Sequence, residues 1–294
     1  MPSIGFICDS GPIVRCCKRR MQVSSQAVRS ESEIGSVPSI LEGGRKFGAA
    51  LLALGIALLL LAIWQLSSQY RLVSALILPS PALVAGALYE GVVGGRFLND
   101  ILVTFNETVL GFLFGTVVAI TLGATFAYSG LLRRAGYPYV IAVQTFPKIA
   151  IAPLLIAWFG YGIGPKVIIS ALLAFFPVFT ATLAGFTEVN SDMIDLLRSM
   201  KATRLQELRK LRLPFAMAFI VPSLDVAIVL ALLGAIAAEL VGGAAGLGQV
   251  IQQKSFTGDI AAVYAVLALT AAIGISLRSI VRTVTRALQS MAWG

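Results

Sequence analysis

Apolar residues in this chain fall into six blocks of about 20 residues, the length at which a helix rising ~1.5 Å per residue crosses ~30 Å of hydrocarbon. The blocks run Phe47–Leu66, Ile101–Tyr128, Tyr137–Phe159, Val167–Phe186, Pro214–Ala238 and Ile260–Leu277. A soluble domain carries about 25% charged residues. Here 13% are charged and 57% are hydrophobic, so half of the usual polar coat is missing and lipid is the expected solvent. A membrane barrel would alternate polar and apolar residues over ten-residue segments, a pattern absent here. The sequence therefore predicts an all-α, polytopic membrane protein with six transmembrane helices over residues 45–294 and a core over 98–284. Residues 1–44 hold Ser, Gly, Pro and charges without a helical stripe and read as a disordered polar tail.

The tail contains all three cysteines, Cys8, Cys16 and Cys17. An odd count with two adjacent members fits neither a disulfide framework nor a zinc site, and reduced cytosolic thiols are expected. The chain has no histidine, which excludes imidazole catalysis and His-ligated metals. No secretory signal is expected, because Ser3–Ile7 is too short for its apolar core and Lys18–Arg20 follows it. Met21 is a candidate start, which would leave residues 1–20 outside the protein.

The net charge of +9 could indicate nucleic acid. The basic residues, however, flank apolar blocks and are not interleaved with aromatics, so no nucleic-acid partner is expected. Alternate connections hold 18 Lys and Arg on one side and 4 on the other. The positive-inside bias places the richer side, with both termini, in the cytoplasm. On that side the connection over 188–213 is unusual. Met193–Met200 and Leu205–Leu213 carry apolar residues at helical spacing among charges, predicting two short amphipathic helices joined near Lys201–Thr203.

A phosphate-cradling loop is tested and rejected. Its nearest approach, Gly160-Tyr-Gly-Ile-Gly-Pro-Lys166, has a proline in place of a donor and lacks the final hydroxyl, so a tight outer turn is expected there. Gly111-Phe-Leu-Phe-Gly115 has the spacing that lets helices approach closely. Ionisable residues inside spans are more informative, since a charge at the bilayer centre costs ~2.5–3.5 kcal/mol even on the mildest scale. Lys148 in span three and Asp225 in span five lie at similar depth and are expected to face protein or a water-filled path and to pair with each other. Glu107 lies about two turns inside the outer surface. Glu239 stands where span five gives way to the glycine-rich break over 242–248, a candidate for re-entrant backbone.

These residues resemble the membrane subunits of binding-protein-dependent ABC importers. The fingerprint of that family is a cytoplasmic Glu-Ala-Ala, three residues, Gly, nine residues and Ile-x-Leu-Pro. Here Asp195-Leu196-Leu197, Arg198-Ser199-Met200, Lys201 and, nine residues on, Leu211-Arg212-Leu213-Pro214 keep the spacing. Asp stands for Glu, leucines stand for both alanines, and Lys201 occupies the turn glycine. Further stretches narrow the likeness to the nitrate, taurine, aliphatic-sulfonate and thiamine-precursor branch. They are Leu78-Pro-Ser-Pro81, Thr104-x-x-Glu107-x-x-x-Gly111-Phe112, Phe146-Pro-Lys-Ile-Ala-Ile-Ala-Pro-Leu154 with Trp158-Phe-Gly160, and Ala238-Glu-Leu240 with Gly246-Leu-Gly248.

The resemblance implies an ABC type-1 importer transmembrane domain in the inner membrane that translocates a small solute and is not itself an enzyme. It implies two copies forming the path as a homodimer, a cytoplasmic ATPase subunit on each, and an extracytoplasmic solute-binding protein. ATP and Mg would reside on the partner, with no cofactor in this chain. It assigns ATPase coupling to Asp195, Leu196, Leu197, Arg198, Met200, Lys201, Ala202 and Arg204. The translocation pathway or an intramembrane charge pair falls to Glu107, Lys148, Asp225 and Glu239, and Lys148 hints at an anionic solute. The alternative is an ion-gradient-driven secondary transporter, which would show two related halves with interrupted helices. No internal repeat is visible, and the basic insertion has no counterpart.

Overall fold

In the computed structural model the backbone is described for residues 39–70, 74 and 76–293, and the side chains for 51–70, 74 and 76–287. The cysteines and residues 1–38 of the predicted tail lie outside the described residues. The first helix, α1 (Ser39–Gln69), begins inside the stretch assigned to that tail. The chain divides into two compact units, Met1–Ile63 and Trp64–Gly294. In the first, described from Ser39, the backbone is helical throughout.

The second unit takes up the last turn of α1, where the Trp64 indole N–H donates to Pro79 O at 2.9 Å. A short helix α2 (Pro81–Val92) follows, with Ser80 as its cap and Pro81 at its first position, where the missing N–H costs nothing. Then come α3 (Leu98–Tyr128), α4 (Gly130–Thr145) and a 3-10 turn, Lys148–Ile151, leading into α5 (Ala152–Phe159). Beyond these lie α6 (Ile163–Thr187), α7 (Ser191–Ser199), α8 (Arg204–Glu207), a π turn Leu208–Arg212, α9 (Leu213–Gly242), α10 (Leu247–Phe256) and α11 (Ile260–Trp293). Asp259 caps α11 by accepting from Ala262 N. The Lys254 ammonium, 2.8 Å away, holds the Asp259 carboxyl below the usual carboxylate range.

Five of the described helices are long and apolar enough to cross a membrane, and the pair α4 and α5 completes six if taken as one span. That span is not the straight helix Tyr137–Phe159 suggested by hydropathy. It bends by 81° at Phe146-Pro147, because proline supplies no N–H to the helix ladder and forces the preceding residue into extended backbone. Phe146 has φ −68° and ψ 136°. A second difference lies at span five. Leu205–Leu213 is not a separate short helix, since the chain continues helically through α8 and the π turn into α9.

The core forms where α6 packs against α3 and α9. Ala119, Ala174, Val178, Phe179, Ala227 and Ala231 have no exposed surface there. Small residues set the distance between helices, as the spacing of Gly111 and Gly115 predicts. A Cβ on Gly111 would run into the Ser170 side chain, and one on Gly115 into the Ala171 backbone. In lipid such contacts substitute for the missing hydrophobic drive between helices.

Candidate functional site

The cytoplasmic connection forms a compact hairpin. Asn190 caps α7 by accepting from Asp192 N at 2.8 Å. Thr203 and Gln206 exchange bonds in a capping box that starts α8. Between them Lys201 adopts φ 57°. Lys201 N donates to Arg198 O at 2.9 Å and Ala202 N to Leu197 O at 3.1 Å. This is the 5→2 and 6→1 bond pair of a Schellman motif. Lysine thus makes the tight turn usually given to glycine, at a conformational cost of about 1 kcal/mol.

The hairpin is braced from below by ion pairs. Buried Glu207 accepts from Arg212 Nε at 2.7 Å and from Arg198 Nε at 3.4 Å. Arg212 also donates to Phe186 O near the end of α6 at 3.2 Å. Glu207 and Arg212 carry this brace, and sequence reading missed both as site residues. With α7 so held, Met193, Leu196 and Met200, spaced as one helical face, are all more than half exposed. Asp195, Arg198, Lys201 and Arg204 are exposed around them, while Leu197 and Ala202 are half-buried. Leu197 therefore belongs to the inner side of α7 rather than to the open apolar face.

The second constellation is intramembrane. Glu107 of α3 and Glu239 of α9, predicted separately, come together with Lys166 of α6, and all three are almost fully buried. Lys166 Nζ donates to Glu107 Oε1 at 2.7 Å and to Ala245 O at 2.9 Å. Glu239 accepts from Thr104 Oγ1 at 2.7 Å and from Gly248 N at 2.7 Å, while Thr104 Oγ1 accepts from Leu247 N at 2.9 Å. Asp100 accepts from Gly246 N at 2.8 Å. Three successive amides at the start of α10 are thus met by two carboxylates and a hydroxyl, where orphan N–H groups and the helix dipole favour negative charge. The glycine-rich break is a loop clamped onto acid side chains. Gly246, at φ 120°, lies where a Cβ would collide with the Glu239 carboxyl. Glu107 Oε2 is buried without a protein partner among the described residues.

Lys166 was missed by the sequence reading, which assigned it to the outer turn. It lies instead in the first turn of α6, after Pro165. The available signal was Glu107 itself, since a carboxylate inside a span needs a cation from a neighbouring one.

The expected pairing of Lys148 with Asp225 does not form. Lys148 Nζ donates to Gln144 O at 2.7 Å and lies 4.5 Å from the centre of the Phe176 ring. It lines a cavity of about 390 Å³ at the α4–α5 bend. Asp225 instead has Arg278 Nε of α11 at 3.9 Å. Asp225 lies level with Arg278, just past the apolar stretch of α11, while Lys148 packs on Phe176 of α6, so the two face different neighbours. No cluster of three or more His, Cys, Asp or Glu side chains able to hold a metal occurs among the described residues.

A helical membrane bundle with a braced cytoplasmic hairpin matches one known family over most of its length. Residues 111–290 match the binding-protein-dependent transport system inner membrane component family. The chain belongs to that family. It is similar to SsuC of Bacillus subtilis strain 168, named as an aliphatic sulfonates transport permease, with 29% identity over 83% of this chain and 89% of SsuC. It is 32% identical to the riboflavin transport system permease protein RibX of Chloroflexus aurantiacus, over 75% of this chain and 82% of RibX. The motif-based branch assignment agrees with SsuC and with the taurine transport system permease protein TauC of Escherichia coli K12, 29% identical over 76% of this chain and 82% of TauC. The fold also matches a crystal form of the inward-facing MetNI methionine ABC transporter, with TM-score 0.58, 20% identity and coverage of 65% of this chain and 95% of that one. The chain is a multi-pass inner-membrane permease subunit of an ABC importer, and the secondary-carrier alternative is set aside.

Proposed function

We propose that α7 with its turn, Asp195–Arg204 within the segment 188–213, is the seat of a separate cytoplasmic ATPase subunit that binds ATP and Mg. The observation that carries this reading is the open stripe Met193, Leu196 and Met200 on a helix capped by Asn190 and tied through Arg198 to Glu207. Three apolar side chains on a rigid cytoplasmic handle have no use in water, and a helix face of this kind fits a protein groove. Closure of the ATPase pair moves α7 as a rigid body, and the Glu207–Arg212 brace transmits that motion to α6 and α9. Two copies of the chain form the path, and an extracytoplasmic binding protein delivers the solute.

The solute is read as a small anion. Lys148 supports this, being a cation beside a cavity at a broken span with no carboxylate partner among the described residues. Broken spans are where transporters commonly place their binding groups. RibX is named for riboflavin, so the shared frame does not itself select charge. The test of the coupling reading is Leu196→Asp in the assembled transporter. Insertion at the wild-type level, with ATPase affinity at least about tenfold weaker and uptake lost, is the expected outcome. Normal uptake by this variant overturns the assignment.

A further inference from the structure

A crevice of about 420 Å³ opens between α9 and α11, walled by Leu232, Leu233, Ile236 and Ile275, with Arg278 at one end. Its position along α11 fixes the depth of that arginine. Eighteen residues separate Ile260 from Arg278, about 27 Å of helix, close to the full thickness of the hydrocarbon core. Arg278 therefore reaches the cytoplasmic headgroup level, while the crevice rises from it into the acyl region.

The arginine is not isolated. Arg282 and Arg286 follow at intervals of four residues, and both are exposed. Each of the three lies one position after the inward stripe Leu277, Val281 and Thr285, of which Leu277 and Thr285 are buried and Val281 packs on the core. The row thus runs along the rim where α11 meets its neighbours. Among the described residues the acidic group paired with it is Asp225 of α9, whose carboxylate is 3.9 Å from Arg278 Nε. At that distance no hydrogen bond is made, and the Arg278 side chain remains 58% exposed. Three cations against one carboxylate leave an excess of positive charge beneath an apolar slot.

We infer that this crevice is a binding site for an anionic phospholipid of the cytoplasmic leaflet. Its headgroup phosphate sits between Arg278 and Arg282, with Arg286 adding positive potential from the next turn, and one acyl chain lies along Leu232, Leu233, Ile236 and Ile275. Charge complementarity selects the headgroup, because guanidinium forks match phosphate oxygens and each juxtamembrane cation adds attraction to an anionic surface. The apolar slot rejects a free phosphate, which would leave those walls uncovered. The inference does not depend on the ATPase-docking reading, since none of the residues lining the crevice belongs to α7.

The test uses the purified full-length chain in detergent, titrated separately with dioleoylphosphatidylglycerol and dioleoylphosphatidylcholine. Retained lipid is counted by native mass spectrometry, and melting is followed in parallel. Phosphatidylglycerol is expected to bind at least about tenfold more tightly than phosphatidylcholine. The double variant Arg278→Gln and Arg282→Gln should lose that preference, whereas the cytoplasmic control Arg133→Gln and Arg134→Gln should keep it. Ile275→Trp, at a position already 69% exposed, should weaken both lipids by filling the slot without touching charge. Equal retention of the two lipids overturns the inference, as does equal loss in the control. Displacement by inorganic phosphate would mean a free anion instead, and an Ile275→Cys chain that cross-links to a second copy in membranes would mean a protein occupant. Either result overturns the lipid assignment.

Discussion

The Lys166 ammonium stands 2.7 Å from Glu107 Oε1, with 8% and 1% of the two side chains exposed. Buried ion pairs contribute little net stability, but removing one partner strands the other charge. Lys166→Met is therefore expected to cost about 3–5 kcal/mol, seen as a lower melting temperature in detergent and less protein in the membrane. Adding Glu107→Leu should recover most of that loss, because two well-packed apolar groups replace the pair. A double variant no more stable than the single one would show that the pair acts through something other than its charges.

The loop over 243–246 sits close to Glu239 because glycine allows it. Gly246 has φ 120° and ψ 165°, a conformation nearly confined to glycine, and its missing Cβ is where the Glu239 carboxyl lies. Gly246→Ala is expected to destabilise by at least about 2 kcal/mol and to speed amide exchange at Leu247 and Gly248. Combining it with Glu239→Ala removes the collision but keeps the backbone strain and strips Thr104 and Gly248 of their acceptor, so no net recovery is expected. Full recovery would show that the backbone conformation carries no cost.

At Lys201 the expectation runs the other way. A lysine at φ 57° in a Schellman turn is strained relative to glycine. Lys201→Gly should raise stability by up to about 1 kcal/mol, read as a higher melting temperature in detergent. Lower stability on that substitution would indicate that the ammonium makes a contact of greater value than the strain it brings.

These outcomes also separate what the sequence carried from what it could not. The six apolar blocks were legible because lipid leaves the backbone no partner but its own helix, and block length then follows from bilayer thickness. The first helix of the hairpin was legible because Met193–Met200 carries apolar side chains at helical spacing among charges, whereas Leu205–Leu213 runs on into α9. The break at Phe146-Pro147 was hidden, since hydropathy runs unbroken through it, although Pro147 was the available warning. Lys166 was hidden by the glycines and proline before it, which read as a turn. The guess that Lys148 pairs with Asp225 used depth, and depth says nothing about which face of a helix a residue occupies. Rotation about the helix axis is set by packing, here by Gly111, Gly115 and Gly234 lying against α6.

The brace beneath the hairpin gives the sharpest separation of docking from transmission. Glu207 binds Arg212 and Arg198, and Arg212 reaches Phe186 O, so α6, α7 and the start of α9 meet at one carboxylate. Glu207→Gln keeps the shape but exchanges a charge-assisted acceptor for a neutral one, at a cost of about 1–2 kcal/mol. The open face of Met193, Leu196 and Met200 is untouched by this change. ATPase affinity should therefore stay within about threefold of wild type, whereas solute moved per ATP hydrolysed should fall severalfold. Leu196→Asp should do the reverse, abolishing binding while leaving the brace intact. Measuring both quantities on both variants checks the scheme: if Glu207→Gln weakens ATPase binding as much as Leu196→Asp does, brace and face are one unit and transmission through Arg212 has no separate role.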